Sequence, residues 1–377
     1  MARKKIRLGM VGGGPGSFIG PVHAMAAALD GRFEVVAGAF SSSAERSRGG
    51  AATYGVDPDR GYSSIDAMIT AEAGRDDGIQ AVCITAPNYV HALAATAAAR
   101  AGLAVISDKP ATATLAEAVA LRDVLKECRT PYGLTYTYTG YSMIREARSV
   151  CAEEIGRIRK AVVEYPQGWL SRQAENEGLR QAVWRTDPRY AGNGGCISDI
   201  GVHAFNILEF VTCLRVNRLC AQLSSVVEGR VLDDDCNMLL ELGQNAVPAV
   251  IQASQIAAGA RNGLRVRVWG ELGGIDWCHE SPDRLLIEWA SGRSEIRHAG
   301  SPDLCQAAIA SRRLPSGHPE GFIEAFATIY RDFADMIEGH PGGGALVPTI
   351  EEGVRGMAFV ERAVESSAER RWVDLSV

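Results

Sequence analysis

The sequence predicts an α/β protein of two domains, in which a parallel sheet with flanking helices precedes an α+β domain with a large, mostly antiparallel sheet. Its 377 residues exceed a typical single domain of roughly 100–200 residues. Up to residue 130, apolar runs of strand length alternate with helical segments, as in βαβ units. Beyond that point, strand-like runs follow one another through turns. We therefore expect domains over residues 1–130 and 131–377, with the last helix able to pack back on the first domain.

The order of the elements follows from apolar runs separated by turn residues. The first domain is predicted to contain a strand from Ile6, a glycine-rich loop, a helix ending near Gly31, a strand over 33–40, a helix from Ala44, a strand over 80–87, a helix from His91 and a strand over 103–110. In the second domain, strands are predicted within 156–170, 220–229, 236–243, 246–256, 264–271, 273–280 and 284–290, and a helix over 351–369. Successive strands joined by turns favour antiparallel pairing.

Composition excludes several classes of partner. The net charge is −6, and no block of lysine or arginine occurs. The chain therefore lacks the cluster of basic residues that binds nucleic acid or an anionic membrane. Glycines interrupt the first apolar run before it reaches the length of a signal peptide, and Arg100 interrupts the longest Ala-rich run. These features predict a cytoplasmic protein that binds a small molecule.

Cysteine usage gives no sign of a metal or redox site. The nine cysteines are scattered between Cys83 and Cys305 without a C-x-x-C pair, so we expect mostly reduced core residues. Three consecutive acidic residues, Asp233 to Asp235, resemble a metal cluster. Consecutive side chains diverge on an extended chain, which favours a solvated turn. No metal is predicted.

The stretch GMVGGGPGSFIGPVH, residues 9–23, directly follows the first strand. A pyrophosphate needs backbone N–H groups at close range and a helix N-terminus, and glycine allows that approach. Gly12 and Gly14 lie where the first two glycines of a dinucleotide loop belong. Ser17 replaces the third, and the next candidate is Gly20, which indicates a three-residue insertion. The alternative is a glycine-rich turn without a ligand, but the βαβ context favours a nucleotide.

The end of the second strand bears on the choice between NAD and NADP. An acidic residue at this position accepts hydrogen bonds from the ribose 2′-hydroxyl in NAD-specific domains. Here the chain has Ser41 and Ser42, and Arg46 follows one turn later. Arg46 could pair with a 2′-phosphate, or it could be solvated. The sequence therefore predicts NAD or NADP, with a lean toward tolerance of NADP.

Four segments together resemble the Gfo/Idh/MocA family, which comprises glucose-fructose oxidoreductase-like and inositol dehydrogenase-like enzymes. They are residues 9–23, Ala86–His91, Asp108–Pro110 and 194–203, which have the order and spacing of that family. The resemblance spans essentially all of the chain. It implies a Rossmann domain, a C-terminal domain with an open sheet that covers substrate and often forms oligomers, a nicotinamide cofactor, and redox chemistry on a cyclic sugar or polyol. A homodimer or homotetramer is expected.

Asp199, His203 and Asn206 are spaced i, i+4 and i+7 in SDIGVHAFNILEF, which predicts one helical face. A polar stripe on an otherwise apolar segment indicates a site. On this interpretation, His203 takes the proton from a substrate hydroxyl, and Asp199 orients the imidazole and raises its basicity. The alternative is that Asp199 merely holds a buried histidine.

Lys109 is predicted at the C-terminal end of a parallel strand, the edge at which such sheets bind ligands. An ammonium there can hydrogen-bond the reacting oxygen and stabilise developing negative charge. The alternative is a surface lysine. The resemblance adds that Asp108 takes the place of the family's usual Glu, one methylene longer, on the cofactor side. It also implies a cis bond between Lys109 and Pro110.

The remaining candidates carry less weight. Further cofactor-binding candidates are Phe18, Ile19, Pro87, Asn88 and His91, where His91 could instead cap a helix. Substrate-binding candidates are Tyr138, Tyr141, Arg185 and His318, where the tyrosines could instead be packing residues. Members of the family that the chain resembles often have arginines at the positions around residues 139–141. Their absence here argues against a phosphorylated or carboxylated substrate.

The resemblance therefore implies an NAD(P)-dependent dehydrogenase. Its expected substrate is a neutral cyclic polyol or sugar, such as inositol or an unphosphorylated pyranose, oxidised at a secondary hydroxyl to a ketone or lactone. Two alternatives stay open. One is a reductase of a non-sugar carbonyl or a tetrapyrrole-like substrate, and the other is a nonenzymatic sensor that binds the dinucleotide.

Overall fold

A computed structural model describes residues 4–376, except for the side chains of Arg180 and Gln181. The strands are β1 (Ile6–Gly12), β2 (Phe33–Ala39), β3 (Ala81–Thr85), β4 (Ala104–Ser107), β5 (Tyr132–Leu134), β6 (Ile158–Pro166), β7 (Val216–Ser224), β8 (Asp235–Leu242), β9 (Val247–Ser254), β10 (Arg265–Gly270), β11 (Gly273–Cys278), β12 (Arg284–Trp289), β13 (Ser294–His298) and β14 (Val373–Asp374). The α-helices are α1 (Ile19–Leu29), α2 (Ala44–Ala51), α3 (Ile65–Ala73), α4 (Asn88–Arg100), α5 (Leu115–Cys128), α6 (Ser142–Glu153), α7 (Arg180–Arg185), α8 (Pro188–Ala191), α9 (Val202–Thr212), α10 (Gln306–Ala310), α11 (Phe322–Ile337) and α12 (Ile350–Glu369). A π-helical turn, Ile197–Gly201, precedes α9.

The chain forms two compact units. Of the described residues, the first unit comprises those up to Thr137 together with Phe322–Val354, and the second comprises Tyr138–Gly321 and those from Arg355 onward. The predicted single domain boundary at residue 130 therefore differs from the observed division into units. The difference arises because the segment Phe322–Val354, distant in sequence, contributes α11 to the first hydrophobic core. Within residues 4–376, helices that combine the length and apolarity needed to span a bilayer are absent.

The first unit contains the predicted parallel sheet. Its strand order, within the described residues, is β2-β1-β3-β4-β5, and all of its pairings are parallel. The order reverses direction between β1 and β3. In open α/β sheets, ligands bind beyond the carboxyl ends of the strands at such a reversal. The loops after β1 and β3 therefore lie at the expected cofactor edge.

Helix α11 completes the core of the first unit. Val22 and Ala26 of α1 belong to the same buried cluster as Phe326 and Phe333 of α11. The ring of Phe33, at the start of β2, stacks on Phe333 with ring centroids 6.4 Å apart. The apolar face of α1 is thus covered by a helix that lies about 300 residues later in the sequence.

The second unit contains the predicted large, mostly antiparallel sheet. Within the described residues, its strand order is β13-β12-β11-β10-β6-β9-β8-β7-β14. The central pair β6–β9 is parallel, with Pro166 opposite Ser254. Parallel neighbours need a crossover connection, and the chain between β6 and β9 includes α7, α8, α9 and two antiparallel strands. Helices α6 and α9 pack together, and α9 lies against β6.

Candidate functional site

The glycine loop packs so tightly that side chains would not fit. A Cβ on Gly12, whose φ is +91°, would lie 2.6 Å from the backbone nitrogen of Ala86. A Cβ on Gly14 would lie 2.2 Å from the carbonyl oxygen of Phe40. Gly20, inside α1, would clash with the Cα of Gly13 at 2.4 Å. These contacts explain the glycine pattern, and the bare loop before a helix N-terminus fits a dinucleotide pyrophosphate.

The predicted insertion forms a turn of its own. The backbone N–H of Ser17 donates to the carbonyl of Gly14 at 3.0 Å. The Ser17 hydroxyl in turn accepts the N–H of Gly20 at 3.2 Å, which satisfies a free donor in the first turn of α1. Phe18 is 65% exposed. Hydrogen bonds within the loop thus accommodate the three inserted residues.

The end of β2 is organised by serines. Ser43 caps α2 by accepting the N–H of Arg46 at 3.4 Å, and the Ser41 hydroxyl accepts the N–H of Ser43 at 3.3 Å. Phe40 is buried and stacks on Tyr54, with ring centroids 5.0 Å apart. Arg46 is exposed. Its predicted pairing with a 2′-phosphate, like the predicted contacts of Ser41 and Ser42, stays a prediction.

Lys109 follows the carboxyl end of β4 directly after Asp108, and its bond to Pro110 is cis, as the resemblance implies. The Thr135 hydroxyl donates to Oδ1 of Asp108 at 3.1 Å. Nε2 of His23 lies 3.7 Å from the same oxygen. Burial alone raises the pKa of the Asp108 carboxyl, but His23 and the nearby Lys109 ammonium lower it to about 2. Asp108 is therefore ionised at neutral pH.

His91 lies in the first turn of α4 and is buried. Its Nδ1 is 2.7 Å from the carbonyl oxygen of Pro110, and its Nε2 is 2.7 Å from that of Ala86. The ring thereby connects the loop after β3 to the loop after β4. The suggestion of a helix cap does not describe these contacts, and a direct contact with cofactor stays a prediction for His91, Pro87 and Asn88.

In the second unit, one edge of the sheet gathers a set of polar side chains. The carboxyl ends of β6 and β9 emerge side by side because these strands are parallel. Antiparallel pairing brings the start of β10 and the end of β11 to the same edge, since Arg265 lies opposite both Glu164 and Cys278. The residues that this edge presents are Tyr165, Gln167, Gln255, Asn262 and His279.

These side chains form a hydrogen-bonded network with one predicted substrate residue. Tyr165 donates its hydroxyl proton to Oδ1 of Asn262 at 2.8 Å. The Asn262 amide donates to the Tyr138 hydroxyl at 3.1 Å. The hydroxyls of Tyr138 and Tyr165 also form a short hydrogen bond with each other. The tyrosine at 138 is therefore buried, as a packing residue is, and at the same time part of a polar cluster.

The network continues to the second predicted tyrosine and surrounds His203. The Tyr141 hydroxyl lies 3.0 Å from Nε2 of His279, whose pKa is lowered by burial, so this imidazole is neutral at pH 7. The His203 ring packs edge-on against Tyr138 and Tyr165, with centroid distances of 5.1 and 6.5 Å. His203 thus lies against the rings of two tyrosines that belong to this network.

Asp199 lies on the π-helical turn and not on the same α-helix as His203. A π-helical turn closes i→i+5 hydrogen bonds, so the α-helical spacing of residues 199 and 203 does not apply. The prediction of a single α-helical face is corrected to this extent. Oδ2 of Asp199 accepts from Nε of Arg185 at 3.2 Å and from the Gln255 amide at 2.8 Å.

Arg185 therefore contacts a predicted catalytic carboxylate. Its guanidinium also lies over the Trp184 ring at 4.2 Å and near the Trp169 ring at 6.0 Å. This arrangement holds a cation beside Asp199. His318 is exposed, and its Nδ1 lies 3.3 Å from the carbonyl of Pro315 in its own loop. The predicted substrate contacts of Arg185 and His318 stay predictions.

The three consecutive aspartates do diverge, but they do not form a solvated turn. Asp233 accepts the backbone N–H groups of Gly195 and Ile197 at 2.6 and 2.8 Å. Asp234 is buried and accepts from the backbone of Val226 and Val227. The expectation of solvation is corrected, because these carboxylates satisfy backbone donors. Asp233 thereby anchors the start of the segment that carries Asp199 and His203.

This anchor predicts a pH-dependent contribution to stability. Burial raises the pKa of Asp233 from 3.8 to about 6. Its folded-state pKa lies above the unfolded-state value, so this contribution is fully present below about pH 4 and is lost as the pH rises through about 6. We expect the free energy of unfolding of the unmodified protein to fall in this window by on the order of 1–3 kcal/mol relative to Asp233→Asn. Urea unfolding at pH 4, 5, 6 and 7 measures this difference, and parallel profiles for both proteins would contradict it.

Several site residues were missed by sequence reasoning. In the second unit they are Tyr165, Gln167, Trp169, Gln255, Asn262 and His279, and in the first unit they are His23, Thr135 and Tyr330. A signal existed for Tyr165, Gln167 and Trp169, because alternate residues at the end of a strand share one face. The others come together only through strand pairing and helix packing.

Comparisons with known proteins agree with this description. Residues 6–136 match the family profile described as "Oxidoreductase family, NAD-binding Rossmann fold", and residues 144–276 match "GFO/IDH/MocA C-terminal domain". An inositol dehydrogenase homologue from Azotobacter vinelandii, solved in complex with NAD+, has 36% sequence identity to this chain. The two structures superpose with a TM-score of 0.93, and the match covers 98% of this chain and 97% of that chain. An inositol dehydrogenase homologue from the same organism, in complex with NADH and myo-inositol, is 34% identical with a TM-score of 0.91 over 98% of both chains. Levoglucosan dehydrogenase of Pseudarthrobacter phenanthrenivorans is 26% identical over 80% of this chain and 81% of that protein.

Proposed function

Because the chain belongs to the Gfo/Idh/MocA family of NAD-binding oxidoreductases, we propose that it oxidises a secondary hydroxyl of a neutral cyclic polyol or sugar. The observation that carries this proposal is the set of neutral hydrogen-bonding groups gathered around His203 at one sheet edge. Hydroxyl, amide and neutral imidazole groups match a ligand rich in hydroxyls and free of charge. The relatives that bind myo-inositol or are named for levoglucosan support the same class.

The residues that hold NAD are proposed from the sequence pattern and the loop geometry. The pyrophosphate is assigned to the N–H groups of the loop that contains Gly12, Gly14, Phe18 and Ile19, because this loop leads from β1 into the N-terminus of α1. The adenosine side is assigned to Ser41, Ser42 and Arg46, and the nicotinamide side to Pro87, Asn88, His91, Asp108 and Lys109. NAD, when bound, supplies hydride exchange with the carbon that bears the reacting hydroxyl.

Side chains of the protein would accept the proton of the substrate hydroxyl and bind the reacting oxygen. His203 accepts the hydroxyl proton as the carbon is oxidised. Asp199, held by Arg185 and Gln255, keeps a fixed negative charge in this unit that favours the imidazolium form of His203. Lys109 donates a hydrogen bond to the reacting oxygen and stabilises its developing charge. Tyr138, Tyr141 and their partners bind the remaining hydroxyls.

A panel of candidate substrates tests the proposed function. The purified protein is incubated with NAD+ or NADP+ and with inositol isomers, neutral pyranoses, an anhydrosugar, a sugar phosphate and a sugar acid, and absorbance at 340 nm is followed. We expect turnover with at least one neutral cyclic compound and none with the phosphate or the acid. Turnover confined to charged sugars, or the absence of turnover together with intact NADH binding, would refute the proposal, the latter result favouring a sensor.

A further inference from the structure

Two buried histidines of the first unit contact the residues on either side of Lys109. His91 faces the carbonyl oxygen of Pro110 with Nδ1 and that of Ala86 with Nε2, both at 2.7 Å. Because both partners are hydrogen-bond acceptors, the ring ties the residue after Lys109 to the loop that follows β3. Burial lowers the pKa of His91. The neutral ring donates to one of the two carbonyls, and only the imidazolium form donates to both.

His23 contacts the residue before Lys109. Its Nε2 lies 3.7 Å from Oδ1 of Asp108, with the side chain fully buried. On the other side of the ring, Nδ1 lies 2.7 Å from the Tyr330 hydroxyl and 3.3 Å from Sγ of Cys83. Burial alone lowers the pKa of His23, but Cys83 and the Asp108 carboxylate raise it to about 10. The buried His23 ring thus faces the half-buried Asp108 carboxylate, and Tyr330 contacts the opposite ring nitrogen.

The backbone pairing of β3 with β4 reaches Asp108, the residue before Lys109. The Asp108 N–H donates to the carbonyl of Ile84 at 2.8 Å, which continues the pairing of β3 and β4. A lysine side chain has a flexible four-carbon stem. A catalytic group must be held within roughly 0.5 Å of its productive position, and this requires anchors on both sides of the residue.

We propose that His23 and His91 are positioning residues that brace Asp108 and Pro110 and thereby direct the amine of Lys109. The role of Lys109 in catalysis rests on the proposed function, whereas the brace is a property of the first unit alone. In this role each histidine contacts a neighbour of Lys109 in the chain. Each acts on the reaction through Lys109, so its loss changes the environment of that amine.

The lysine content of the chain makes a direct test possible. The five lysines are Lys4, Lys5, Lys109, Lys126 and Lys160. Trace reductive methylation with labelled formaldehyde, followed by mass spectrometry, reports the reactivity of each amine against pH. Lys126 and Lys160 serve as internal references. The measurement is made on the full chain without substrate, so it does not depend on the proposed function.

The variants are His23→Gln and His91→Gln, with His298→Gln as a matched control, because His298 is an exposed histidine of β13 in the second unit. We expect each of the first two to change the ratio of the Lys109 labelling rate to the Lys126 and Lys160 rates by about threefold at a fixed pH. The control leaves the ratio unchanged. An unchanged ratio for Lys109 in both folded variants overturns the proposal.

A second variant covers the case in which a histidine variant fails to fold. Tyr330→Phe removes only the hydroxyl that contacts His23 and keeps the aromatic ring in the core. We expect a smaller change of the Lys109 ratio in the same direction as His23→Gln, and an unchanged ratio counts against the brace. With a substrate from the panel, His23→Gln should lower kcat by about 10- to 100-fold with little change in the Kd for NADH. An inactive unmodified protein with a shifted Lys109 ratio would overturn the proposed function and leave the brace supported.

Discussion

Lys109→Met and His203→Gln are each expected to lower kcat by about 10²–10⁴-fold on the substrate that the panel identifies. The loss follows from the proposed chemistry, because a positioned proton acceptor contributes about this factor and a charged hydrogen-bond donor to a developing oxyanion a similar one. Binding of NADH, followed by its fluorescence, should remain within a fewfold of normal, since neither side chain is needed to bind the pyrophosphate. Steady-state kinetics from pH 6 to 10 give the measurement.

A matched control separates the loss of a catalytic amine from the loss of a lysine. Lys126 is exposed in the last turn of α5, and Lys126→Met should keep normal kcat and KM. In the His203 variant, the pH dependence of kcat that the imidazole imposes should disappear. Near-normal turnover in both Lys109→Met and His203→Gln would remove these residues from the mechanism.

Gly14→Ala should weaken NADH binding by about 100-fold or more, the equivalent of about 3 kcal/mol. The added methyl group would lie 2.2 Å from the carbonyl oxygen of Phe40. That neighbour is backbone at the end of β2, so the loop itself must move, and overpacking of this kind costs roughly 1–3 kcal/mol or more. Fluorescence titration of NADH measures the affinity, and thermal unfolding reports the accompanying loss of stability.

Gly49→Ala is the control for this substitution. Gly49 is exposed in α2, with nothing within 4 Å of the added Cβ. Alanine in place of glycine favours a helix by about 1 kcal/mol, so this variant should be slightly more stable and bind NADH normally. If Gly14→Ala bound NADH as tightly as Gly49→Ala does, the pyrophosphate would have to lie elsewhere.

The alternation of strands and helices was sufficient to predict the parallel sheet, because each of its long strands is an apolar run bounded by turn residues. Strand β5 was not predicted, since three residues give too little periodicity. Helix α5 was not predicted either, although Thr114 and Glu117 form a capping box that the sequence spells out. The contribution of α11 to the first core could not be predicted, because it depends on packing between distant segments.

For the candidate site, local patterns indicated the residues that follow strands, and strand pairing determined their partners. Lys109 and the glycine loop were identified because they lie at strand ends of a parallel sheet. Asn262 and His279 flank two strands whose register is set by pairing, so no local signal marks them. Asp233 was assigned to a solvated turn because its backbone partners, Gly195 and Ile197, lie far away in sequence.

The place of α11 in the first unit has a consequence for the order of synthesis. A ribosome releases β1 to β5 and α1 to α5 long before residues 322–337 leave its exit tunnel. During that interval the apolar face of α1 and the ring of Phe33 lack their cover. The nucleotide-binding half therefore reaches its native packing only near the end of translation, and until then its uncovered face is open to chaperones or to aggregation.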